Sequence, residues 1–278
     1  MITSLSNQQV KNVVKLRTKG KERRQQRRFV AEGSRMVLET PKEHLQQIYL
    51  SQEFLEHPGH RQAVEQYFGT DLSDLPHEEM RTIGSTELLA VSGEVMKHMS
   101  DTVTPQGILA VISMPEYAMD DLLCGEDTHL LILENLQDPG NLGTMFRTGE
   151  GAGISGIIMS ADTVDVFMPK VIRSTMGAIF RVPFLVVKDL PETLQEVKSK
   201  GVKLYAAHLK GQEMYDAFDY GQATGFLVGN EGNGLTEEIA NLADQYIRIP
   251  MGGALESLNA AMAAGILMYE VNRQRRSK

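Results

Sequence analysis

The spacing of apolar and polar positions divides the first 114 residues into short helices and strands. Val10, Val13 and Val14 recur at helical spacing and predict an amphipathic helix ahead of Gly20. Strands are expected at residues 29–33, 47–51 and 107–114, and helices at residues 34–39 and 87–99. These alternating elements predict one small α/β domain over residues 1–114.

Residues 115–127 interrupt this pattern. They are acidic, contain Pro115 and Gly125, and show no clear periodicity, which is typical of a linker. The chain has 278 residues, more than one domain usually holds. A second domain is therefore predicted over residues 128–278.

The second region consists of apolar runs followed by polar or glycine-rich segments. Strands are expected at residues 129–133, 154–160, 184–188, 203–208, 225–228 and 246–249. This spacing favours a largely parallel sheet covered on both faces, which binds ligands beyond the carboxyl ends of its strands. Polar clusters follow strands at residues 134–143, 229–234 and 251–259, so these clusters are candidate ligand loops.

Two helix starts are predicted from capping residues. A turn at residues 138–140 is expected to precede a helix capped by Asn141, and Ser257 is expected to cap the last helix. In that last helix, one face is expected to be buried because its residues recur at helical spacing. The face consists of Leu258, Ala261, Met262, Gly265, Ile266 and Tyr269.

Charge is distributed unevenly along the chain. Met1–Arg35 carries ten Lys or Arg and two Glu, a net charge of +8, whereas the whole chain has a formal net charge of −8. The segment from Glu270 onward adds a further +3. Basic ends on an acidic protein indicate nucleic acid as a partner. The candidate RNA contacts are Arg23, Arg24, Arg27 and Arg28.

Several function classes are disfavoured by composition. Cys124 is the only cysteine and the N-terminus lacks the apolar run of a signal peptide, so a reducing, cytoplasmic location is expected. No apolar stretch is long enough to span a membrane, so no membrane association is expected. The histidines of the run His57-Pro58-Gly59-His60 lack a third ligand, so no metal site is expected.

The run Gly151-Ala-Gly-Ile-Ser-Gly156 has the spacing of a dinucleotide-binding loop. That loop needs a strand before it and a helix after it, whereas here the predicted helix comes first. We interpret these glycines as a helix stop and a tight strand entry. A nicotinamide-dependent oxidoreductase is therefore a disfavoured alternative.

The three polar clusters together resemble the ordered motifs of SpoU-type RNA ribose 2′-O-methyltransferases, the TrmH-like family of the SPOUT superfamily. The motif-bearing segments are residues 134–147, 227–235 and 249–259. The resemblance covers residues 131–270. In the N-terminal region, residues 29–33 and 105–108 resemble a substrate-binding domain similar to small ribosomal RNA-binding proteins.

The resemblance implies an α/β catalytic domain whose C-terminal segment threads a loop to make a deep trefoil knot. It implies S-adenosylmethionine as methyl donor, held largely by backbone groups in the knot, and a homodimer formed through the knot region. The implied cofactor contacts are Gly229, Ile249 and Leu258. The implied catalytic residues are Arg147 and Asn141, with Glu231, Ser257 and Asn259 arranging the site.

Methylation of a ribose hydroxyl requires its oxygen to lose a proton while it attacks the sulfonium methyl in line. A guanidinium is a poor proton acceptor near neutral pH. Arg147 is therefore expected to bind the neighbouring phosphate and to stabilise alkoxide charge, and to act as base only in an unusual environment. His208, at a predicted strand end, is the alternative base.

The expected activity is S-adenosylmethionine-dependent 2′-O-methylation of RNA. Ribosomal RNA is favoured because relatives with this kind of N-terminal domain often act on it. Two alternatives are a transfer-RNA 2′-O-methyltransferase and a catalytically silent protein that binds structured RNA. The presence of Asn141, Arg147 and Glu231 argues against loss of catalysis.

Overall fold

The computed structural model describes residues 1–78 and 80–277 and divides the chain into two compact units. The first unit comprises Met1–Pro115 and Phe167–Phe180. The second comprises Glu116–Val166 and Arg181–Lys278. These bounds differ from the predicted ones, because residues 116–127, predicted as a linker, lie in the second unit, and Phe167–Phe180, expected in the second domain, lies in the first.

The strands, in chain order, are β1 Arg28–Glu32, β2 Leu45–Ser51, β3 Arg81–Ile83, β4 Thr86–Val91, β5 Ile108–Ser113, β6 His129–Leu133, β7 Gly156–Ser160, β8 Phe184–Val187, β9 Lys203–Ala207, β10 Glu213–Met214, β11 Thr224–Val228 and β12 Gln245–Arg248. The helices, in chain order, are α1 Gln8–Thr18, α2 Gly20–Gln26, α3 Ser34–Leu38, α4 Gln52–Glu56, α5 Pro58–Phe68, α6 Gly93–Met99, α7 Met119–Leu122, α8 Pro139–Ala152, α9 Pro169–Thr175, α10 Leu190–Ser199, α11 Glu237–Ala240 and α12 Ala260–Arg276.

The first unit is built on a five-stranded mixed sheet in the order β1-β5-β2-β4-β3. Strands β2 and β4 are parallel, and the other pairs are antiparallel. Residues 87–99 were predicted to be helical throughout, but the first part is strand β4 and only α6 is helix. The run Leu88-Leu89-Ala90-Val91 is buried on both faces, and such a run carries no periodicity that separates strand from helix.

An aromatic cluster in the first unit includes a segment from later in the chain. Phe29 on β1 is fully buried, and its ring lies 5.0 Å from Phe167 and 6.3 Å from Phe180. In the same unit, Arg173 on α9 forms an ion pair of 2.8 Å with Asp101. The segment Phe167–Phe180, expected in the second domain, is therefore part of the first core.

The predicted linker packs on the second sheet. Leu122 in α7 is 0% exposed, and the ring of Tyr117 contacts Phe184 edge-on at 5.5 Å. A Cβ atom at Gly156 would overlap the side chain of Leu122, so this glycine makes room for the covering helix. Residues 116–127 are thus part of the second unit rather than a free connection.

The second unit contains a seven-stranded sheet in the order β10-β12-β9-β11-β6-β7-β8. Every neighbouring pair is parallel, as predicted. Strand β11 is inserted between β9 and β6, and both β6 and β11 are buried along their full length. The chain segments that follow β6, β11 and β12 therefore leave the sheet at one common edge.

The glycine run that resembles a dinucleotide loop ends a helix and leads into a strand, as interpreted from the sequence. Gly153 ends α8 in the left-handed region with φ 76°. A Cβ atom at Gly149, two residues before the run, would overlap Ile154, so a larger side chain there would keep the residues after α8 from packing closely on the helix. The helix precedes the strand here, which is the wrong order for a dinucleotide site.

Both predicted helix starts were wrong by a few residues. Asp138 caps α8, since its Oδ1 accepts from the Asn141 N–H at 2.7 Å, and the expected turn is the first turn of the helix. Asn259, rather than Ser257, caps α12, with Oδ1 accepting from Ala261 N–H at 2.9 Å. Each start contains several residues able to cap, and tertiary contacts select among them.

The buried face of α12 also differs from the prediction. Its buried residues include Ala264, Leu267 and Met268, which pack within the second unit. By contrast, Met262 is 60% exposed and Tyr269 is 48% exposed, although both were expected to be buried. The helix therefore has a second apolar face that the rest of its unit leaves accessible.

One histidine lies deep in the second unit. His129 begins β6, is 1% exposed, and packs edge-on against Phe226 with ring centroids 6.1 Å apart. Burial, together with the charge of Arg275, lowers the pKa of His129 to about 3. The imidazole is therefore uncharged at neutral pH.

Among residues 1–78 and 80–277, no helix combines the length and apolarity that crossing a membrane requires. Within the same residues, no cluster of His, Cys, Asp and Glu side chains could hold a metal ion.

Candidate active site

Three polar loops meet at the carboxyl edge of the parallel sheet. The first loop follows β6 and leads into α8, the second follows β11, and the third joins β12 to α12. Because the strands are parallel, these loops emerge on the same side, where open α/β sheets bind their ligands. The hydrogen bonds between the loops determine how the predicted site residues are arranged.

A chain of side-chain hydrogen bonds joins all three loops. The Asn141 amide donates from Nδ2 to Oε1 of Glu231 at 3.0 Å. The Asn141 Oδ1 in turn accepts from Nδ2 of Asn259 at 2.9 Å. Since a carboxylate can only accept, Glu231 fixes the orientation of the Asn141 amide, and Asn141 then fixes that of Asn259. Three predicted catalytic residues are therefore brought together as one network.

Glu231 has further donors from the start of α8. Its carboxylate accepts from the backbone N–H of Gln137 at 3.0 Å and of Asp138 at 2.9 Å. Partial burial raises the pKa of Glu231, but hydrogen bonds from Asn141 and from these N–H groups outweigh it, so the pKa lies below its usual value. The carboxylate is therefore ionised at neutral pH and accepts at both oxygens.

A second set of contacts between the first two loops was missed in the sequence. The Glu134 carboxylate accepts from the backbone N–H of Thr236 at 2.8 Å and from its hydroxyl at 2.7 Å. The Asn230 Nδ2 donates to the carbonyl of Asn135 at 2.9 Å. These residues lie in or beside the motif segments. Glu134 and Asn230 come just after buried strands, and this position is the signal that could have indicated a role.

Gly229 is required by the second loop itself. A Cβ atom at this position would overlap the backbone of Gly234 and Leu235. The resemblance implies that Gly229 contacts the cofactor, whereas the structure shows close approach of the loop to itself. A cofactor contact at Gly229 remains a prediction, but a bulky substitution there would disturb the loop even without cofactor.

Arg147 lies on the exposed surface of α8, about 9 Å along the helix axis from Asn141. Within the part of the chain that the structure describes, it has no hydrogen-bond or ion-pair partner. This arrangement differs from that of the network residues, which have protein partners. It leaves the guanidinium available for a substrate.

The third loop presents the other predicted contacts. Ile249 follows β12 directly and is half-buried, and Leu258 is 37% exposed. Ser257 is exposed, and no hydrogen bond joins its side chain to another described residue. The network therefore includes Asn259 but not these three residues.

The four candidate RNA contacts differ in accessibility. Arg24 and Arg27 are exposed, and Arg28 is half-buried with a long contact of 3.4 Å to Gln46. Arg23, however, is 5% exposed and donates to the carbonyls of Leu16 at 2.8 Å and Arg17 at 3.0 Å. Arg23 thus satisfies the carboxyl end of α1, and its assignment as an RNA contact was wrong.

His208, the alternative base, lies just after β9. Its Nδ1 accepts from the backbone N–H of Lys210 at 3.1 Å. Partial burial and the charge of Lys210 lower the pKa of His208. No hydrogen bond joins it to the Glu231 network in the described part of the chain.

A parallel sheet whose carboxyl-edge loops are joined by polar side chains is typical of α/β proteins that bind a ligand at their strand ends. Residues 128–269 match the SpoU rRNA Methylase family, and residues 7–110 match an MRM3-like substrate binding domain. The chain belongs to the SpoU rRNA methylase family.

Comparison with individual proteins of known sequence and structure supports this family assignment. The chain is 33% identical over 270 residues to the 23S rRNA (guanosine(2553)-2′-O)-methyltransferase RlmP of Bacillus subtilis, covering 97% of this chain and 98% of that protein. It is similar to the AdoMet complex of the SpoU methyltransferase AviRb from Streptomyces viridochromogenes, with TM-score 0.82, 26% identity and coverage of 98% and 100%. It is also similar to an AdoMet-bound rRNA methyltransferase from Sinorhizobium meliloti, with TM-score 0.82, 30% identity and coverage of 98% and 97%.

Family membership confirms the expected α/β fold, methyltransferase activity on RNA and S-adenosylmethionine as cofactor. It also confirms the expected N-terminal substrate-binding domain.

Proposed function

We propose that the protein transfers a methyl group from S-adenosylmethionine to a ribose 2′-hydroxyl of ribosomal RNA. The observation that carries this proposal is the Glu231–Asn141–Asn259 chain, which joins the three loops at the carboxyl edge of the sheet. Full-length similarity to a 23S rRNA 2′-O-methyltransferase supports ribosomal RNA as the substrate class. This substrate supports a cytoplasmic location.

The chemistry of the loops fits the cofactor. Apolar side chains of Ile249 and Leu258 remain partly accessible beside exposed backbone, which suits an adenosine with an apolar face and polar edges. These residues and the loop after Gly229 would hold the cofactor. S-adenosylmethionine supplies an electrophilic methyl group on a sulfonium sulfur.

Arg147 is assigned to the substrate. Its exposed, unpartnered guanidinium in the described chain suits binding of the phosphate beside the target ribose and stabilisation of charge on the attacking oxygen. The three-residue network keeps the loops in register, and Ser257 contributes its hydroxyl near the start of α12.

RNA docking is assigned to the basic N-terminal unit. Arg24, Arg27 and Arg28 supply positive charge on a chain that is acidic overall, and counterion release from the RNA provides affinity. The match to a substrate-binding domain over residues 7–110 supports this assignment.

Two further features of the family are proposed for this chain. The segment after β12 passes through a loop of the second unit to form a trefoil knot, and the Asn259–Asn141 hydrogen bond would hold it there. Two copies pair through this region. The accessible apolar side chains Met262 and Tyr269 on α12 support such a contact.

The test is methylation of RNA from a strain that lacks the gene, followed by mapping of 2′-O-methyl positions. Methyl incorporation at a defined nucleotide of ribosomal RNA is expected, and a reaction without S-adenosylmethionine serves as the negative control. Incorporation into transfer RNA alone would favour the alternative substrate. Binding of S-adenosylmethionine and RNA without any transfer would identify a silent RNA-binding protein.

A further inference from the structure

Glu134 directly follows β6, and its side chain contacts Thr236, the residue just after the second loop. Its carboxylate accepts from both polar groups of Thr236, the backbone N–H at 2.8 Å and the hydroxyl at 2.7 Å. The two residues are 102 positions apart in the chain. Hydrogen bonds to a charged acceptor are stronger than hydrogen bonds between two neutral groups.

The geometry requires a carboxylate rather than an amide. The Thr236 hydroxyl donates to Glu134 and at the same time accepts from the N–H of Ile239 at 3.3 Å, capping α11. Both Thr236 groups that face Glu134 are therefore donors. A glutamine has one acceptor oxygen and would turn an N–H toward one of them.

The second loop is held at both ends by neighbouring residues of the first. Asn230, near its start, donates to the Asn135 carbonyl, and Thr236, just after it, donates to Glu134. Between these points, Asn230 and Gly234 exchange two backbone hydrogen bonds of 3.1 and 2.9 Å. The loop is thus a closed turn that Asn230 and Thr236 attach to the first loop, in addition to the contacts of Glu231.

We propose that Glu134 is a positioning residue that fixes the loop Gly229–Leu235 for S-adenosylmethionine binding by holding Thr236. This rests on the proposed function, because the loop is assigned to the cofactor there. Glu134 acts through the loop backbone and takes no part in proton transfer.

The variants Glu134→Gln, Thr236→Val and Thr236→Ser test the contact. The first should weaken S-adenosylmethionine binding by about tenfold, the scale of one hydrogen bond to a charged group. Thr236→Val, which removes the hydroxyl at nearly constant shape, should do the same, whereas Thr236→Ser should bind as wild type. The double variant Glu134→Gln/Thr236→Val should bind no more weakly than Thr236→Val alone, because the hydroxyl that Glu134 holds is already absent there.

The matched control is Glu238→Gln, which makes the same chemical change at an exposed position of α11. It should leave affinity unchanged. Affinity is measured by calorimetry on folded protein without RNA, and the methyl-transfer rate is then measured at saturating cofactor, where Glu134→Gln should regain wild-type turnover.

If Glu134→Gln binds S-adenosylmethionine with wild-type affinity, the inference is overturned, even if the melting temperature falls. The Glu134–Thr236 contact would then serve stability alone. Additive losses in the double variant would also overturn it. Failure of the wild-type protein to bind S-adenosylmethionine would instead refute the proposed function, so the two failures are distinguishable.

Discussion

Replacing Asn141 with Asp tests the direction of the hydrogen bonds in the site. The change keeps the side-chain shape but substitutes an oxygen for Nδ2, which donates to Glu231 at 3.0 Å. The Asn141→Asp variant would therefore place two carboxylates face to face without a proton between them. The contact with Asn259 needs only an acceptor and would survive.

The expected cost follows from the distance. Two unit charges 3.0 Å apart repel by about 1.4 kcal/mol in water, and the partial exposure of both residues keeps the cost near that limit. Loss of a hydrogen bond to a charged group adds about 1.5 to 3 kcal/mol. A total of about 3 to 4 kcal/mol predicts methyl transfer slowed by roughly 10² to 10³-fold.

Single-turnover methyl transfer at saturating cofactor measures this loss, with S-adenosylmethionine affinity as a check on folding. Lowering the pH should reduce the defect, because protonation of either carboxyl restores a donor. Adding Glu231→Gln should restore part of the rate, because its amide can donate to the new carboxylate. Rescue is partial because that amide then faces the N–H of Asp138. An unchanged rate for Asn141→Asp would refute the assignment of Asn141 as the donor to Glu231. A double variant slower than Asn141→Asp would refute it as well.

Three other outcomes are expected. Arg147→Ala should lower single-turnover methyl transfer by about 10²-fold or more while calorimetry shows unchanged S-adenosylmethionine affinity; a rate close to wild type would exclude a role in charge stabilisation. Replacing Arg24, Arg27 and Arg28 with Ala should flatten the log–log salt dependence of RNA affinity by roughly 2 units, and an unchanged slope would place the RNA elsewhere. Burial lowers the pKa of His129 to about 3, below the usual value of about 6.5, so the unfolded chain binds an extra proton between these values and stability is lost as the pH falls. Urea unfolding should show a loss of up to about 1.4 kcal/mol per pH unit in this window, and His129→Leu should reduce the slope.

Much of the second unit could be predicted from the sequence because its strands are continuous apolar runs. Each run ends in polar residues, and in a parallel sheet this pattern places those residues at one edge. The three residues Asn141, Glu231 and Asn259 were selected by family resemblance, and the structure joins them. No local pattern could give the order of donors and acceptors, because it depends on contacts between residues 90 and 118 positions apart.

The errors at the two helix starts have one physical cause, which is competition between residues of equal local preference. Asp138 and Asn141 can both cap a helix, as can Ser257 and Asn259, and long-range hydrogen bonds decide between them. Arg23 lies in a basic run that is otherwise accessible to solvent, yet its side chain folds back onto carbonyls of the preceding helix. Charge counting cannot distinguish such an arginine from one that meets a phosphate.

The segment Phe167–Phe180 limits how the chain can be cut into fragments and how its substrate-binding unit can be exchanged with that of a related enzyme. A fragment ending at Pro115 would lack Phe167 and Phe180, the two rings beside Phe29, and would expose an aromatic surface of its own core. Exchange of the substrate-binding unit between related enzymes would therefore require matching changes within the sequence of the methyltransferase region. The two parts of this chain are expected to have diversified together, with substitutions at Phe29 accompanied by changes near Phe167.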